Sequence, residues 1–453
     1  MSHFQAWDRS LRFSHIVVVA VGILLLPIAP NLQAQETIGT SAPTSQSSTI
    51  ITPDTAAPTL SPASDSNLPL TNDLRTQVSA EPRRFHYQLQ ISVRGVYDDN
   101  ININQTNRVS DYYFAIEPTL TLGVGDINGH QDSFLRFDYF PGLFLFLDHS
   151  ENDALQHVIS LQGQHQFSRL TLALTEQVAI LDGTDLRNLS DATSPGSHAN
   201  LDVSGRTKFQ TYNTHLYASY DLSGKTFLST EFYSLTTNYN SGSLFSSANL
   251  SENLFINYRY SDKLVFGVGG TGGYDFVEDP NPGQTFEQAN VRMTYQATGK
   301  INLNLSGGVE FRQFENDSRS QYISPVFDFS ASYQPSDGTT FAIGAGYRIY
   351  NSAVLVAQNF TEATVDFSVH QRFLQRFYVA VVAGYQHSDY FSTVSGLAAN
   401  RKDDYYYVEP GIDFSITRFW TFGGYYLHRQ NDSSFTSFSF DDNQVGIRTA
   451  LTF

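Results

Sequence analysis

From Phe85 to Phe453, apolar and polar residues alternate with a period of two in many short runs, separated in turn by tight turns and longer loops. A period of two puts successive side chains on opposite faces of a strand. Repeated runs of about 10 residues, with short turns at one end and long loops at the other, describe a transmembrane β-barrel. The last run is representative. Val445, Ile447, Thr449, Leu451 and Phe453 share one face, and Gln444, Arg448 and Thr452 the other. The same pattern sets Tyr87, Leu89, Ile91 and Val93 against Gln88, Gln90, Ser92 and Arg94, and Ile301, Leu303, Leu305, Val309 and Phe311 against Asn302, Asn304, Glu310 and Arg312.

Strands are expected near 85–97, 112–124, 131–147, 153–167, 169–180, 206–222, 226–238, 252–260 and 264–276. They continue near 286–298, 300–313, 321–334, 339–350, 360–370, 376–389, 404–417, 420–429 and 443–453, which makes an all-β antiparallel barrel of 18 strands. Tight turns follow even strands, at Asp126-Ile127-Asn128-Gly129, Ser223-Gly224, Ser261-Asp262-Lys263, Gly299-Lys300 and Pro335-Ser336-Asp337-Gly338. Gly, Asn and Asp accept the positive φ that short hairpins require. Longer polar loops follow odd strands, and the longest is 181–205. The expected orientation places the turns and both chain ends in the periplasm, which needs an even strand number. A 10-residue strand rising about 3.3 Å per residue and tilted about 45° covers roughly 23 Å, close to the ~25 Å apolar band of such barrels.

Three local features strain the pattern. Phe140, Phe144 and Phe146 make both faces of the third strand apolar, and Glu176 falls on the lipid face of the fifth, which suggests a bulge or a change of parity. Pro118, Pro325 and Pro410 interrupt three downward strands. Proline brings no N–H to a ladder, so bulges near the outer rim are expected. Upward strands end on Gly-Tyr, at Gly273-Tyr274, Gly346-Tyr347, Gly384-Tyr385 and Gly424-Tyr425, with Tyr97 in a related place. These read as an aromatic girdle at the headgroups.

Composition agrees. The chain is 41% hydrophobic, yet its mean hydropathy is −0.26, as fits a wall in which every second residue faces lipid. The absence of Cys rules out disulfides, thiolate metal sites and a Cys nucleophile. A formal charge of −17 argues against nucleic acid as a partner. Arg9 and Arg12, the apolar run Ile16–Leu26 and a small residue at Ala34 describe a signal peptide over 1–34. Residues 35–84, rich in Ser, Thr, Pro and Ala, read as a flexible periplasmic linker, and the barrel occupies 85–453.

Tyr97-Asp98-Asp99-Asn100 at the head of the barrel and the Gly-aromatic strand ends resemble a family of bacterial outer-membrane β-barrel porins, over about 85–453. The resemblance implies an outer-membrane location, and it suggests exopolysaccharide production, with which related barrels are often associated. The alternating C-terminal strand (Val445, Ile447, Leu451, Phe453) looks like the signal read by the barrel assembly machinery.

Parity places Arg94, Glu117, Arg136, Asp138, Arg292, Glu310, Arg312, Asp328, Arg348, Asp366, Glu409, Asp413 and Arg448 on the lumen face. Two readings stand side by side: cross-strand pairing, or a transverse field that selects solutes. The loop at 181–205, with Asp182, Asp185, Arg187, Asp191 and Asp202, is the candidate constriction, since general porins fold their third outward loop inward. Carboxylates also crowd the rims at Asp98, Asp99 and Asp111, at Asp148, Glu151 and Asp153, at Asp403 and Asp404, and at Asp441 and Asp442. They read first as solvated loops, and divalent cations could join them to lipopolysaccharide phosphates. No cofactor is implied. His165 with Ser168, and the consecutive His387-Ser388-Asp389, do not make a nucleophile, base and oxyanion set, so an enzyme is not expected. The function expected is passive diffusion of small hydrophilic solutes. A part in polysaccharide export, and a structural barrel with an occluded lumen, are the alternatives.

Overall fold

A computed structural model describes residues 85–125, 127, 133–183, 201–203, 205–315 and 321–453. The expected signal peptide and linker, loop residues Asp185, Arg187 and Asp191, and most of the turn at 126–129 lie outside the described residues. The strands are β1 (Phe85–Asp98), β2 (Asp111–Gly125), β3 (Phe134–Phe146), β4 (Ala154–Gln166), β5 (Leu170–Gly183) and β6 (Thr207–Asp221). They continue as β7 (Thr226–Tyr239), β8 (Ser247–Ser261), β9 (Leu264–Val277), β10 (Gln284–Thr298), β11 (Ile301–Phe314) and β12 (Tyr322–Ser336). The last six are β13 (Thr339–Asn351), β14 (Gln358–Phe373), β15 (Phe377–Ser392), β16 (Lys402–Thr417), β17 (Trp420–Ser433) and β18 (Phe440–Thr452).

Each strand pairs antiparallel with its neighbours in sequence, and β1 pairs with β18, so the 18-stranded sheet closes on itself. Closure removes the free edges that would otherwise seek partners. Phe453 lies just past β18 but still exchanges backbone hydrogen bonds with Leu89 on β1. The count matches the sequence pattern, because tight turns and alternation are both local signals. The ends differ: β8 begins at Ser247 rather than near 252, and β3 at Phe134 rather than near 131.

The outer face is apolar around most of the circumference, with Leu89, Ile116, Leu145, Val268, Phe327, Val365, Ile412 and Ile447 exposed. Glu176 does point outward, with neither a bulge nor a change of parity. Thr214 on β6, its direct partner in the ladder, donates a 2.6 Å hydrogen bond to it. The prolines are not bulged either. The β2–β3 ladder skips from Ile116↔Leu143 to Leu120↔Tyr139, and β16–β17 from Val408↔His428 to Gly411↔Tyr425, with no change of register. A short gap in the ladder accommodates the missing N–H. The register shifts of the even strands fall at the tight turns, between Arg259/Ser261, Gln296/Thr298, Tyr333/Ser336 and Ser415/Thr417.

One girdle residue is corrected. Tyr97 and Tyr385 face outward, whereas Tyr425 turns inward at 5% exposure and Tyr426 takes the outer place. Gly446 makes this possible: a Cβ there would stand 2.3 Å from the Tyr425 ring.

Candidate functional site: an ion-paired wall beneath a latched mouth

The inner face carries most of its charge as arginine–carboxylate pairs. Arg94 on β1 donates from Nε (2.9 Å) and Nη2 (3.1 Å) to the two carboxylate oxygens of Glu117 on β2, and from Nη1 (2.9 Å) to the Tyr425 hydroxyl. Arg136 grips Asp138 on its own strand through Nε (2.7 Å) and Nη2 (2.9 Å), and Thr121 donates to the same carboxylate. Arg448 reaches across β17 to Asp413 on β16, with Nε 2.8 Å from Oδ1. The space it crosses is kept by Gly423, where a Cβ would meet Asp413 Oδ1 at 2.0 Å. On the far side, Arg312 donates to Glu310 at 2.7 Å and also bonds Asp275, while Arg348 donates to Asp328 at 2.7 Å. Arg292 donates to Glu231 at 3.0 Å and to Asn257 at 2.9 Å. The pairs of Arg94, Arg136 and Arg448 are bidentate, a geometry that the planar guanidinium makes and an ammonium does not. The lysines, at 208, 225, 263, 300 and 402, stand in turns or near strand ends.

Asp366 and Glu409 are also buried on this face, at 8% and 3% exposure. Sequence reasoning missed Glu231, Asp275, Glu362 and Arg429. Strand β7 mixes polar and apolar residues on both faces, which hid the inward parity of Glu231. Asp275 had a usable signal, because it follows the outward Tyr274 and must therefore face in.

Toward the loop end the wall becomes apolar. Val96, Ile101, Tyr113, Phe144, Phe146, Tyr425 and Leu427 form one buried cluster. Phe140, Val158, Ala179 and Leu181 form another. The phenylalanines that gave the third strand two apolar faces are the inner half of these clusters. Loops dock on them. Ile101 and Ile103 of the loop 99–110 are each 1% exposed, and Ile103 sits at φ 45°, held by a hydrogen bond from its N–H to Asn100 O (2.8 Å). Ile103 also packs with Leu201, Tyr405 and Phe440. Leu201 belongs to the long third loop and Tyr405 to β16, so the described end of that loop lies inward on distant strands.

Asp202 fixes it there. Tyr390 donates a 2.7 Å hydrogen bond and Arg401 a 2.9 Å one to its Oδ1, and Ala353 N donates to Oδ2. Arg401 also donates to Leu201 O (2.8 Å) and Asp403 (2.6 Å), and its guanidinium stacks 3.6 Å over Phe438. Burial favours the neutral guanidine, but Asp202, Tyr390 and Asp403 hold the pKa of Arg401 above its ordinary value, so it remains charged. Of the proposed constriction residues, Asp202 is thus a buried latch, while Asp182 lies near Lys208 at 3.5 Å on the rim.

Some rim carboxylates that read as solvated, such as Asp111, Asp403 and Asp442, are buried fasteners, while Asp148, Glu151 and Asp153 are exposed. Asp111 accepts from the backbone N–H of Asp148 and His149, and Asp153 from that of Phe146. Next to the latch a cavity of about 360 Å³ is lined by Asp202, Arg206, Lys208, Asn240, Ser243 and Phe438, among others. The hydrolytic candidates do not assemble: His387 bonds Asp404 on the outer face, while Ser388 points inward.

Residues 287–453, which run from β10 to the C-terminus, match the family described as "Putative beta-barrel porin 2". No curated protein matches the chain. Among solved structures, the outer-membrane protein OpdK of Pseudomonas aeruginosa is 13% identical with a TM-score of 0.41, over 81% of this chain and 99% of that one. OccK2 (OpdF) of the same organism, solved with glucuronate, is 12% identical with a TM-score of 0.42, over 81% and 98%. At that level of similarity, nothing about this chain's solute follows from theirs.

Proposed function

We propose that the chain is an outer-membrane, porin-like channel through which small hydrophilic solutes diffuse, narrowed in its loop half. The observation that carries this is the interior itself. A closed barrel of 18 strands is wide enough to leave an aqueous lumen unless something fills it. Here part of the turn half is lined by half-buried polar groups such as Asn304, Ser330 and Ser332, and loop residues such as Ile101, Ile103 and Leu201 narrow the loop half. The match of the C-terminal strands to a porin family supports the same reading.

The finer parts of the account belong to this proposal. Residues 1–34 direct export, 35–84 act as a tether, and both chain ends face the periplasm. Phe453, exposed at the end of the last strand, is read by the assembly machinery. The outer face rests in lipid and lipopolysaccharide, whose phosphates reach the acidic rims through divalent cations. Paired lumen charges act as fixed dipoles that order water and discriminate among solutes.

Liposome swelling tests the reading. Vesicles carrying the purified barrel should swell in small sugars and amino acids and become slower as solute size rises. The buried Asp202–Arg401 latch favours a second reading, a barrel whose lumen is shut. Folded protein that leaves vesicles impermeable even to the smallest solutes would select it.

A further inference from the structure

Where the first and last strands meet, Asp98 ends β1 on the inner face and pairs in the ladder with Gln444 of β18. Asp442 lies two residues before Gln444 on that face, and Asp99 follows Asp98 into the loop. One carboxylate oxygen from each of Asp98, Asp99 and Asp442 lies within 4.8 Å of the others. Oxygens sharing a Ca²⁺ at about 2.4 Å can stand at most about 4.8 Å apart. Asp98 is 3% exposed and Asp442 fully buried. Arg429 donates to Asp442 Oδ2, and Asn443 donates from its backbone N and its Nδ2 (2.8 Å each) to the two oxygens of Asp99, so a guanidinium and neutral donors face three carboxyl groups.

A second observation points to a ligand. Gln444, 2% exposed, places its amide nitrogen 3.1 Å from Asp98 Oδ2 and 3.2 Å from Asp442 Oδ2, while its Oε1 has no hydrogen-bond partner. Asp442 Oδ1 and Asn431 Oδ1 are also buried without a donor. Buried acceptor oxygens that the surrounding donors leave unmatched are the kind a hard cation satisfies. The amide oxygen and nitrogen of Gln444 exchange by a half-turn about one bond. That turn would set a neutral oxygen 3.1 and 3.2 Å from two carboxylate oxygens, a spacing suited to neighbouring ligands on one ion.

We infer that the β1–β18 seam binds one divalent cation of the Ca²⁺ class through Asp98, Asp99 and Asp442, with the Gln444 amide oxygen as a neutral ligand. The ion clips the first strand to the last and steadies the loop 99–110. That loop already folds off the site, because Asn100 N donates to Asp98 Oδ1 at 2.7 Å and Asn100 Nδ2 to Asp441 O at 2.8 Å. The site stands whether or not the barrel conducts.

The test uses full-length folded barrel in detergent, stripped with EDTA and titrated with CaCl₂ by calorimetry, with thermal unfolding followed in parallel. One saturable site per chain and a higher unfolding temperature with Ca²⁺ are expected. Asp99→Asn should weaken binding by at least about tenfold, since it removes one of three charged ligands. Asp442→Asn should do the same. Asp148→Asn, on another acidic rim, should leave it unchanged. If Asp442→Asn does not fold, Asp99→Asn decides, because that side chain is only partly buried. Absence of Ca²⁺ binding in the unaltered protein, or unchanged affinity in Asp99→Asn, overturns the site.

Discussion

On β2, the inner face at the loop end reads Asp111, Tyr113, Ala115 and Glu117, all buried; on β11, the same face at the turn end reads Asn302, Asn304 and Ser306, exposed or half-buried. Both stretches obey one parity rule, and polar side chains turn inward in each. The difference lies in what meets them. At the loop end the wall offers an apolar footing, and the loop carrying Ile101 and Ile103, with the loop end carrying Leu201 and Asp202, folds down onto it. At the turn end of β11 the inner side chains stay exposed or half-buried. The loop end is therefore narrowed by loops as well as by strands, and the two stretches should respond differently to substitution.

The largest effect is expected at the latch. Arg401→Ala leaves the Asp202 and Asp403 carboxylates buried without their cation. Removing one partner of a buried pair costs about 3–5 kcal/mol. The unfolding temperature should fall, and the segments 201–203 and 393–401 should become open to protease while the strands stay protected. If protease resistance is unchanged, the comparison between halves fails.

A smaller effect is expected in the wall. Gly423→Ala drives a methyl into Asp413 and should displace the Asp413–Arg448 pair, at about 1–3 kcal/mol for overpacking. Thermal unfolding reports the loss. Its reversal-potential shift in a salt gradient would show whether this pair also borders the ion path.

Selectivity separates wall from rim at still lower cost. Arg348→Gln removes a partly accessible lumen cation, and Lys402→Gln an exposed rim cation. At about 1 M salt, where screening acts over roughly 3 Å, only the lumen substitution should still move the reversal potential, toward cation preference. Equal behaviour of the two at all salt concentrations would place Arg348 outside the conducting path.

The smallest effect belongs to the turn half. Asn304→Ser, on the open inner face of β11, should change stability by no more than about 0.5 kcal/mol, as measured by denaturant unfolding. A larger loss would mean that the turn half is packed too.

These contrasts explain what was legible in the sequence. Strand number, pairing order and the inward parity of Arg94, Glu117 and Arg448 followed from residues two apart, because a strand repeats every two residues. Glu176 was placed on the correct face, but its partner Thr214 lies on the next strand and gave no signal in sequence. The prolines suggested bulges because local chemistry does not reveal that a ladder can skip two or three residues and resume in register. The latch was hidden most completely. Asp202 meets Tyr390 and Arg401, 188 and 199 residues away, and nothing near any of the three announces the contact. Phe140, Phe144 and Phe146 did announce the apolar footing, as an anomaly with no assigned use.

Single-channel recording in planar bilayers tests the central claim most directly, with the unaltered barrel beside Arg401→Ala. The account predicts stepwise ohmic conductance from the unaltered protein and larger steps once the latch is broken and the mouth widens. Folded, inserted protein that gives no steps in either form would contradict it, since the interior would then be closed below the loops as well as by them.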